Sequence, residues 1–279
     1  MSPAYSTVGN TVLLIGAGRM GFALLRGWVA ARKLDKIYII EPHPSDAVKQ
    51  FAREKAIELI AEPHLRQMPE ITAAVLAMKP QTIKAESGLL QLLGAHAPLV
   101  LSIAAGVTTG YLTAQLGGKP HVVRAMPNTP GAIGKGITVL YAGGDVEPSR
   151  RQFAQSLMTA LGETLWLENE ALLDAVTAVS GSGPAYVFLM VEALAAAGRA
   201  QGLDSATAEK LARFTVSGAG ALIADDPRPA EDLRRDVTSP GGTTEAALSV
   251  LMASDGLVEL MKRAVAAATE RGKALGKTS

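Results

Sequence analysis

Short, nearly uninterrupted apolar runs recur through the first half of this 279-residue chain and vanish from the second. They are Thr11–Ile15, Ile37–Ile40, Ala73–Met78, Leu99–Ile103, Val122–Met126 and Thr138–Tyr141. Runs of this kind suit strands buried on both faces, as in a parallel sheet covered by helices. The segments between them are long enough for crossover helices, which predicts a doubly wound α/β domain over residues 1–168. From Ala171 onward the strand pattern stops. Val187, Met190, Val191 and Leu194 recur at helical spacing, and a long Ala-rich helix is expected around Ala185–Ala200. Gly202, the Pro227–Pro229 stretch and the Pro240–Gly242 stretch punctuate this half, so residues 169–279 read as a separate all-α domain.

The first apolar run leads into Gly16-Ala17-Gly18-Arg19-Met20-Gly21, a GxGxxG that opens an apolar helix. The first glycine permits the tight turn, the second lets backbone approach a pyrophosphate, and the third lets helix pack on strand. Phosphates then sit at the helix N-terminus, and a dinucleotide is the expected ligand. Glu41 ends the second run, where an acid accepts hydrogen bonds from the adenosine ribose and repels a 2′-phosphate. Arg19 and His43 lie nearby and partly offset that charge.

Composition removes several function classes. Lys+Arg total 27 against 26 Asp+Glu, a formal net charge of +1, which gives no electrostatic case for nucleic acid or an anionic membrane as partner. The absence of cysteine excludes disulfides, zinc–thiolate sites and thiol catalysis, and fits a reducing, cytoplasmic setting. The 4 histidines are scattered and suggest no metal site. Met1–Asn10 lacks the basic and apolar regions of a signal peptide, and no uninterrupted apolar run reaches membrane-spanning length.

The second chemical signal is the stretch Pro240-Gly241-Gly242-Thr243-Thr244-Glu245. It offers backbone N–H groups and two hydroxyls at an expected helix start, which suits a small carboxylate. Other polar positions allow two readings each. Arg124 is expected to be a structural ion-pair partner. Lys79, before Pro80, is either a loop lysine or a cofactor contact at the carboxyl end of the sheet. Met126–Pro130 is stiffened by Pro127 and Pro130, and its Asn128 suits the nicotinamide. Ser180-Gly181-Ser182-Gly183-Pro184 suits helix capping or a site loop, and Glu170 by itself reads as an ordinary surface acid before the helical region.

Taken together, these segments resemble the pyrroline-5-carboxylate reductase family. The matching pieces are Ile15–Gly21, Ala77–Gln81, Ser102–Thr108, Val123–Pro130, Ser180–Tyr186 and Val237–Thr244, in family order along nearly the whole chain. The resemblance implies an N-terminal Rossmann domain and a C-terminal all-helical dimerisation domain. It also implies that helical domains of two subunits interleave, that active sites lie between one subunit's nucleotide domain and its partner's helices, and that dimers assemble further into a ring. By the same resemblance Ile15, Gly16, Ala17, Gly18, Arg19 and Met20 line the diphosphate. Ala77, Met78, Lys79, Pro80, Ile103, Ala104 and Ala105 border the cofactor, and Asn128 lies near the nicotinamide. Ser239, Gly242 and Thr243 meet the substrate carboxylate, Thr244 hydrogen-bonds the ring nitrogen, and Glu170 matches an acidic position near the substrate. The chain departs from its relatives at Glu41, where a small polar residue is common. It departs again at His64, where Asn often contacts the adenosine side, and at Arg19, where Asn or Gln is common. NADPH and NADH both stay open as cofactor, and no metal is implied.

The expected reaction is reduction of 1-pyrroline-5-carboxylate to L-proline. The rivals are a reductase of another cyclic imine, a hydroxyacid dehydrogenase of similar build, and a non-catalytic dinucleotide sensor. Hydroxyacid dehydrogenases commonly carry a helical Lys-x-x-x-Asn. Lys210, Lys262, Lys273 and Lys277 show no such Asn. A sensor has no need of a substrate-anion loop.

Overall fold

The computed structural model describes residues 10–60, 71–118 and 120–277. Among them an 8-stranded sheet has the order β3-β2-β1-β4-β5-β6-β7-β8. The strands are β1 (Thr11–Ile15), β2 (Lys36–Ile40), β3 (Glu58–Ile60), β4 (Ala73–Leu76), β5 (Leu99–Ser102), β6 (His121–Met126), β7 (Gly136–Gly143) and β8 (Gly162–Leu167). Each expected run forms a strand. Two further strands, β3 and β8, carry no fully buried residue, and without a continuous apolar run they leave little trace in the sequence.

The sheet is mixed, which corrects the expectation of an all-parallel one. Strands β1 to β6 pair in parallel, but β7 runs antiparallel to β6 and carries β8 parallel to itself. The reason is the connection. Between Met126 and Gly136 the chain has room for one 3₁₀ turn, Thr129–Ile133, and a parallel return needs a crossover of a dozen or more residues.

The pleat divides the core into two layers. Val12 and Leu14 of β1 join Leu24, Leu25 and Trp28 of α1 (Arg19–Ala31) on one face. Leu13 and Ile15 join Leu90 and Leu93, Leu112 and Leu116 on the other. Helices α2 (Asp46–Glu54), α3 (Pro80–Ala85), α4 (Ser87–His96), α5 (Thr109–Gln115) and α6 (Pro148–Met158) complete the cover. The Trp28 indole N–H donates to the Leu157 carbonyl at 2.8 Å, which ties α1 to α6. Strand order reverses between β1 and β4, so a crevice opens at their carboxyl ends, the usual ligand position in such sheets.

The chain forms two compact units, Met1–Gly181 with Thr269–Ser279, and Ser182–Ala268. The first contains the sheet, α7 (Leu173–Val176) and a π-helical turn, Thr177–Gly181. The second contains α8 (Gly183–Ala200), α9 (Ser205–Asp225), α10 (Ala230–Asp236), α11 (Thr243–Leu251) and the start of α12 (Leu257–Lys277). Within it α8 and α9 pack through small residues, with buried Ala195, Ala208 and Ala212. Its large apolar side chains stay outside: Phe188 is 61% exposed, Phe214 65% and Val250 71%. A unit built this way lacks a core of its own and needs an apolar partner surface.

The helical segment Glu170–Ala200 has 31 residues and meets the length and composition of a membrane span. The expectation that no uninterrupted apolar run reaches that length stands, because Asp174, Ser180, Ser182 and Glu192 break this one. Gly and Ser interrupt the apolar run in sequence without interrupting the helix. Its first turns lie against the sheet unit, with Leu173 and Ala178 each 1% exposed, so that part is committed to protein packing.

Candidate active site: a dinucleotide cleft and an anion turn

The glycine loop is fixed by backbone. Gly16 has φ +93, and a Cβ there stands 2.8 Å from the Ala77 carbonyl oxygen. At Gly21 a Cβ stands 2.2 Å from the Gly16 carbonyl oxygen. At Gly18, the N-cap of α1, a Cβ meets nothing within 4 Å, and the first turn of α1 carries no acid. Open space before unpaired N–H groups at a helix start is what a diphosphate requires, so these residues fit a dinucleotide.

The adjoining cleft has a volume of about 510 Å³ and collects Ile15, Gly16, Gly18, Glu41, Ala77, Met78 and Lys79. Ala17, Arg19 and Met20 continue the loop, and Pro80 opens α3 beside Lys79. Ile103, Ala104 and Ala105 follow β5; the Ile103 N–H donates to the Leu76 carbonyl at 3.0 Å, which puts this loop beside the β4 end. Thr82 and Glu86 also line the cleft and escaped sequence reasoning. Pro80 at the first helical position is the signal that could have placed them, since it starts a helix on the rim. His64 lies outside the described residues.

Glu41 grips the loop. Its Oε2 accepts the Ala17 N–H at 2.8 Å, and its Oε1 accepts the His43 N–H at 3.0 Å. Both carboxylate oxygens are therefore held by backbone at the edge of the cleft.

Asn128 is engaged at both ends. Its Oδ1 accepts the Ile137 N–H at 3.0 Å, and its Nδ2 donates to Ser180 Oγ at 3.3 Å. The amide stiffens the turn between β6 and β7 and joins it to the π-helical turn. Helix capping by the serines does not occur: the π turn runs into α8, and Ser182 makes no capping bond. A continuous helix leaves no free N-terminus there to cap.

Glu170 forms the main ion pair of the sheet unit. Its Oε1 lies 2.7 Å from Arg124 Nη1 and accepts the Thr109 N–H at 2.8 Å, while its Oε2 accepts the Thr109 hydroxyl at 2.7 Å. Arg124 is thus the structural ion-pair partner expected of it. Burial pushes the Glu170 carboxyl pKa up, but the hydrogen bonds from Arg124 and Thr109 together outweigh it and hold the group below the usual carboxylate value. A depressed folded value stabilises the native state above the unfolded pKa of about 4.3, and the gain is lost as pH falls through the folded value. Glu170→Ala is expected to cost roughly 2 kcal/mol near neutral pH, because a mostly buried guanidinium loses its acceptor. The cost should shrink on acidification; thermal unfolding at pH 7 and pH 4 measures it, and an equal loss at both would exclude the ionised clasp.

The late loop belongs to the helical unit and is also rigid. Ser239-Pro240-Gly241-Gly242 makes a turn of type II pattern: Gly241 has φ +71, and the Gly242 N–H donates to the Ser239 carbonyl at 3.0 Å. The Gly241 N–H donates to Glu245 Oε2 at 2.7 Å. The Thr238 hydroxyl donates to the Arg234 carbonyl at 2.7 Å and anchors the turn to α10. Gly242 thus spends its N–H within the turn. The free donors are those that follow it, the first N–H groups of α11, which starts at Thr243. The hydroxyls of Ser239, Thr243 and Thr244 make no hydrogen bond among the described residues.

A family model described as pyrroline-5-carboxylate reductase dimerisation matches residues 170–275, and one described as NADP oxidoreductase, coenzyme F420-dependent, matches residues 11–106. The pyrroline-5-carboxylate reductase of Pseudomonas aeruginosa is 40% identical over 95% of this chain and 96% of its own length. The chain belongs to the pyrroline-5-carboxylate reductase family. The Synechocystis member is 39% identical over 95% of this chain and 97% of its own. The solved Coxiella burnetii member superposes with a TM-score of 0.87 at 36% identity, covering 96% of this chain and 99% of its own. The Plasmodium falciparum member, solved with NADP bound, gives 0.77 at 26% identity, covering 95% and 98%. The helical half with its exposed apolar faces is this family's dimerisation region, and the protein is a homo-oligomer.

Proposed function

We propose that this protein reduces 1-pyrroline-5-carboxylate to L-proline with NADPH or NADH, the last step of proline synthesis. One observation carries the reading beyond family membership. The Ser239–Gly242 turn is locked by its own hydrogen bonds, while among the described residues the N–H groups after it and the Thr244 hydroxyl stay free. That is a preformed receptor for a small carboxylate with a hydrogen-bonding atom close by.

In this reading residues 1–168 bind the dinucleotide, and residues 169–279 bind substrate and the second subunit. Helical domains interleave in the dimer, dimers assemble into a ring, and each imino acid lies between the cleft of one subunit and the late loop of its partner. Ser239 and Thr243 hold the carboxylate, and Gly242 leaves room for it. Glu170 keeps the fold beside the site in register through Arg124, and Asn128 does the same for the loop facing the nicotinamide. The absence of cysteine suits a cytoplasmic enzyme.

A nicotinamide held in the cleft lined by Gly16, Gly18 and Lys79 would supply hydride to the imine carbon. The protein's work is orientation, exclusion of water and control of one proton. Thr244 donates a hydrogen bond to the ring nitrogen as that atom gains electron density. A threonine hydroxyl is too weak an acid to give up its own proton, so Thr244 positions the nitrogen and relays a proton from water. The carboxylate grip decides which ring face meets the hydride.

The test is a spectrophotometric assay with 1-pyrroline-5-carboxylate, run in parallel with NADPH and NADH. Oxidation of either cofactor is expected, and dinucleotide binding without turnover would replace the reductase by a sensor. The same assay reads cofactor choice. Glu41 sets a fixed negative charge at the ribose end of the cleft, so Glu41→Ser should raise the NADPH/NADH ratio of kcat/KM about tenfold, equivalent to ~1.4 kcal/mol. An unmoved ratio would take Glu41 away from the ribose.

A further inference from the structure

We infer that Glu245 is a positioning residue for the substrate carboxylate, acting on the anion turn in two opposed ways. The inference rests on the proposed reaction for its substrate, and on the hydrogen bonds of the turn for its geometry.

Glu245 is the third residue of α11, from which a side chain reaches back over the helix start. Its Oε2 accepts the Gly241 N–H at 2.7 Å. Gly241 holds φ +71, which glycine adopts at no steric cost but leaves as easily, so a bond to its N–H restricts a residue with much freedom to lose. With the Gly242 N–H on the Ser239 carbonyl, both amides ahead of the helix are now used inside the turn. The N–H groups of Thr243 and Thr244, at the start of α11, are left outside the turn's own hydrogen bonds, in a frame set before any ligand arrives. A preset frame spares the ligand the ordering cost, so the bond from Gly241 favours carboxylate binding.

The charge on Glu245 works the other way. Among the described residues no ion pair neutralises it. Glu245 lines a cleft of about 430 Å³ with Arg234 and Arg235, but those guanidiniums are spent elsewhere. Arg235 pairs with Glu231 and Asp232, and Arg234 pairs with Glu231. An unneutralised carboxylate at the mouth of an anion site repels the substrate anion and competes for the positive end of α11.

Two substitutions separate the effects. Glu245→Gln keeps an oxygen acceptor for the Gly241 N–H and removes the charge. Its KM for 1-pyrroline-5-carboxylate should fall about threefold with kcat little changed. Glu245→Ala removes charge and acceptor together, so its KM should lie about tenfold above that of the Gln variant, the usual scale for a lost helix cap. KM for the dinucleotide should not move in either. Equal KM values for Gln and Ala would overturn the positioning role, and a KM that rises in Gln would overturn the repulsion. Amide hydrogen exchange at Gly241 gives a readout independent of activity: protection is expected to persist in Gln and to be lost in Ala. Failure of the wild-type protein to turn over 1-pyrroline-5-carboxylate refutes the proposed reaction, whereas unprotected Gly241 in the wild type refutes the lock.

Discussion

Thr244→Ala is expected to lower kcat for 1-pyrroline-5-carboxylate about 100-fold while the dinucleotide dissociation constant stays at its wild-type value. The magnitude is that of removing one donor aimed at an atom that gains charge in the transition state. The structure supports the assignment in two ways. Thr244 sits in the first turn of α11, directly after the locked Ser239–Gly242 turn, so its backbone is held by neighbours rather than by ligand. Its hydroxyl is uncommitted among the described residues, unlike that of Thr238, which is spent on the Arg234 carbonyl. The loss should therefore fall on the chemical step rather than on the fold. Thr244→Ser, which keeps the hydroxyl, should recover most of the activity, and Thr244→Val, which keeps the shape, should not. Steady-state kinetics beside a dinucleotide fluorescence titration measure all three. Wild-type turnover in the Ala variant would remove Thr244 from the mechanism.

What the sequence discloses here follows from which forces are local. The strands of the first half were legible because each is an unbroken apolar run, and the glycine loop because each glycine answers a backbone demand beside it. Strand β8 was not legible, since it lies at a sheet edge and none of its residues is buried. The direction of β7 was hidden in the length of one connection rather than in any residue. In the helical half the spacing of Val187, Met190 and Leu194 gave the helix, but their burial did not follow. They remain 49%, 42% and 42% exposed, because helical spacing reports an apolar face but not what that face packs against, and this chain's own core does not cover it. The partners of Glu170 and Asn128 are separated from them by 61, 46 and 52 positions, and nothing local encodes such a meeting. Glu245 could have been read: a Glu three places after an N-cap is half of a capping box, although Gly242 in the cap position disguised it.

The second large effect is expected at Gly21, and Gly18 provides the contrast that interprets it. A methyl at Gly21 would lie 2.2 Å from the Gly16 carbonyl oxygen and 3.1 Å from the Ala77 side chain. The first obstacle is backbone, so no rotamer change relieves it, and α1 must move away from the loop that it caps. Overpacking of this kind costs about 1–3 kcal/mol, and the shift also spoils the N–H array before the diphosphate. Gly21→Ala should thus lower the thermal midpoint and weaken NADPH binding together. At Gly18 a methyl meets no protein atom within 4 Å and the backbone needs no left-handed angle. Gly18→Ala should lower the thermal midpoint less than Gly21→Ala, by no more than the poorer N-cap costs, yet weaken NADPH binding at least tenfold, because the methyl enters the open space before the α1 N–H groups that the proposed diphosphate would fill. Thermal unfolding without ligand, paired with a dinucleotide titration, reads the two variants apart. A Gly21→Ala protein with wild-type stability would refute the close helix–loop contact. A Gly18→Ala protein with wild-type affinity would move the diphosphate away from the start of α1, and the cleft bounded by Glu41 and Lys79 would no longer account for cofactor binding.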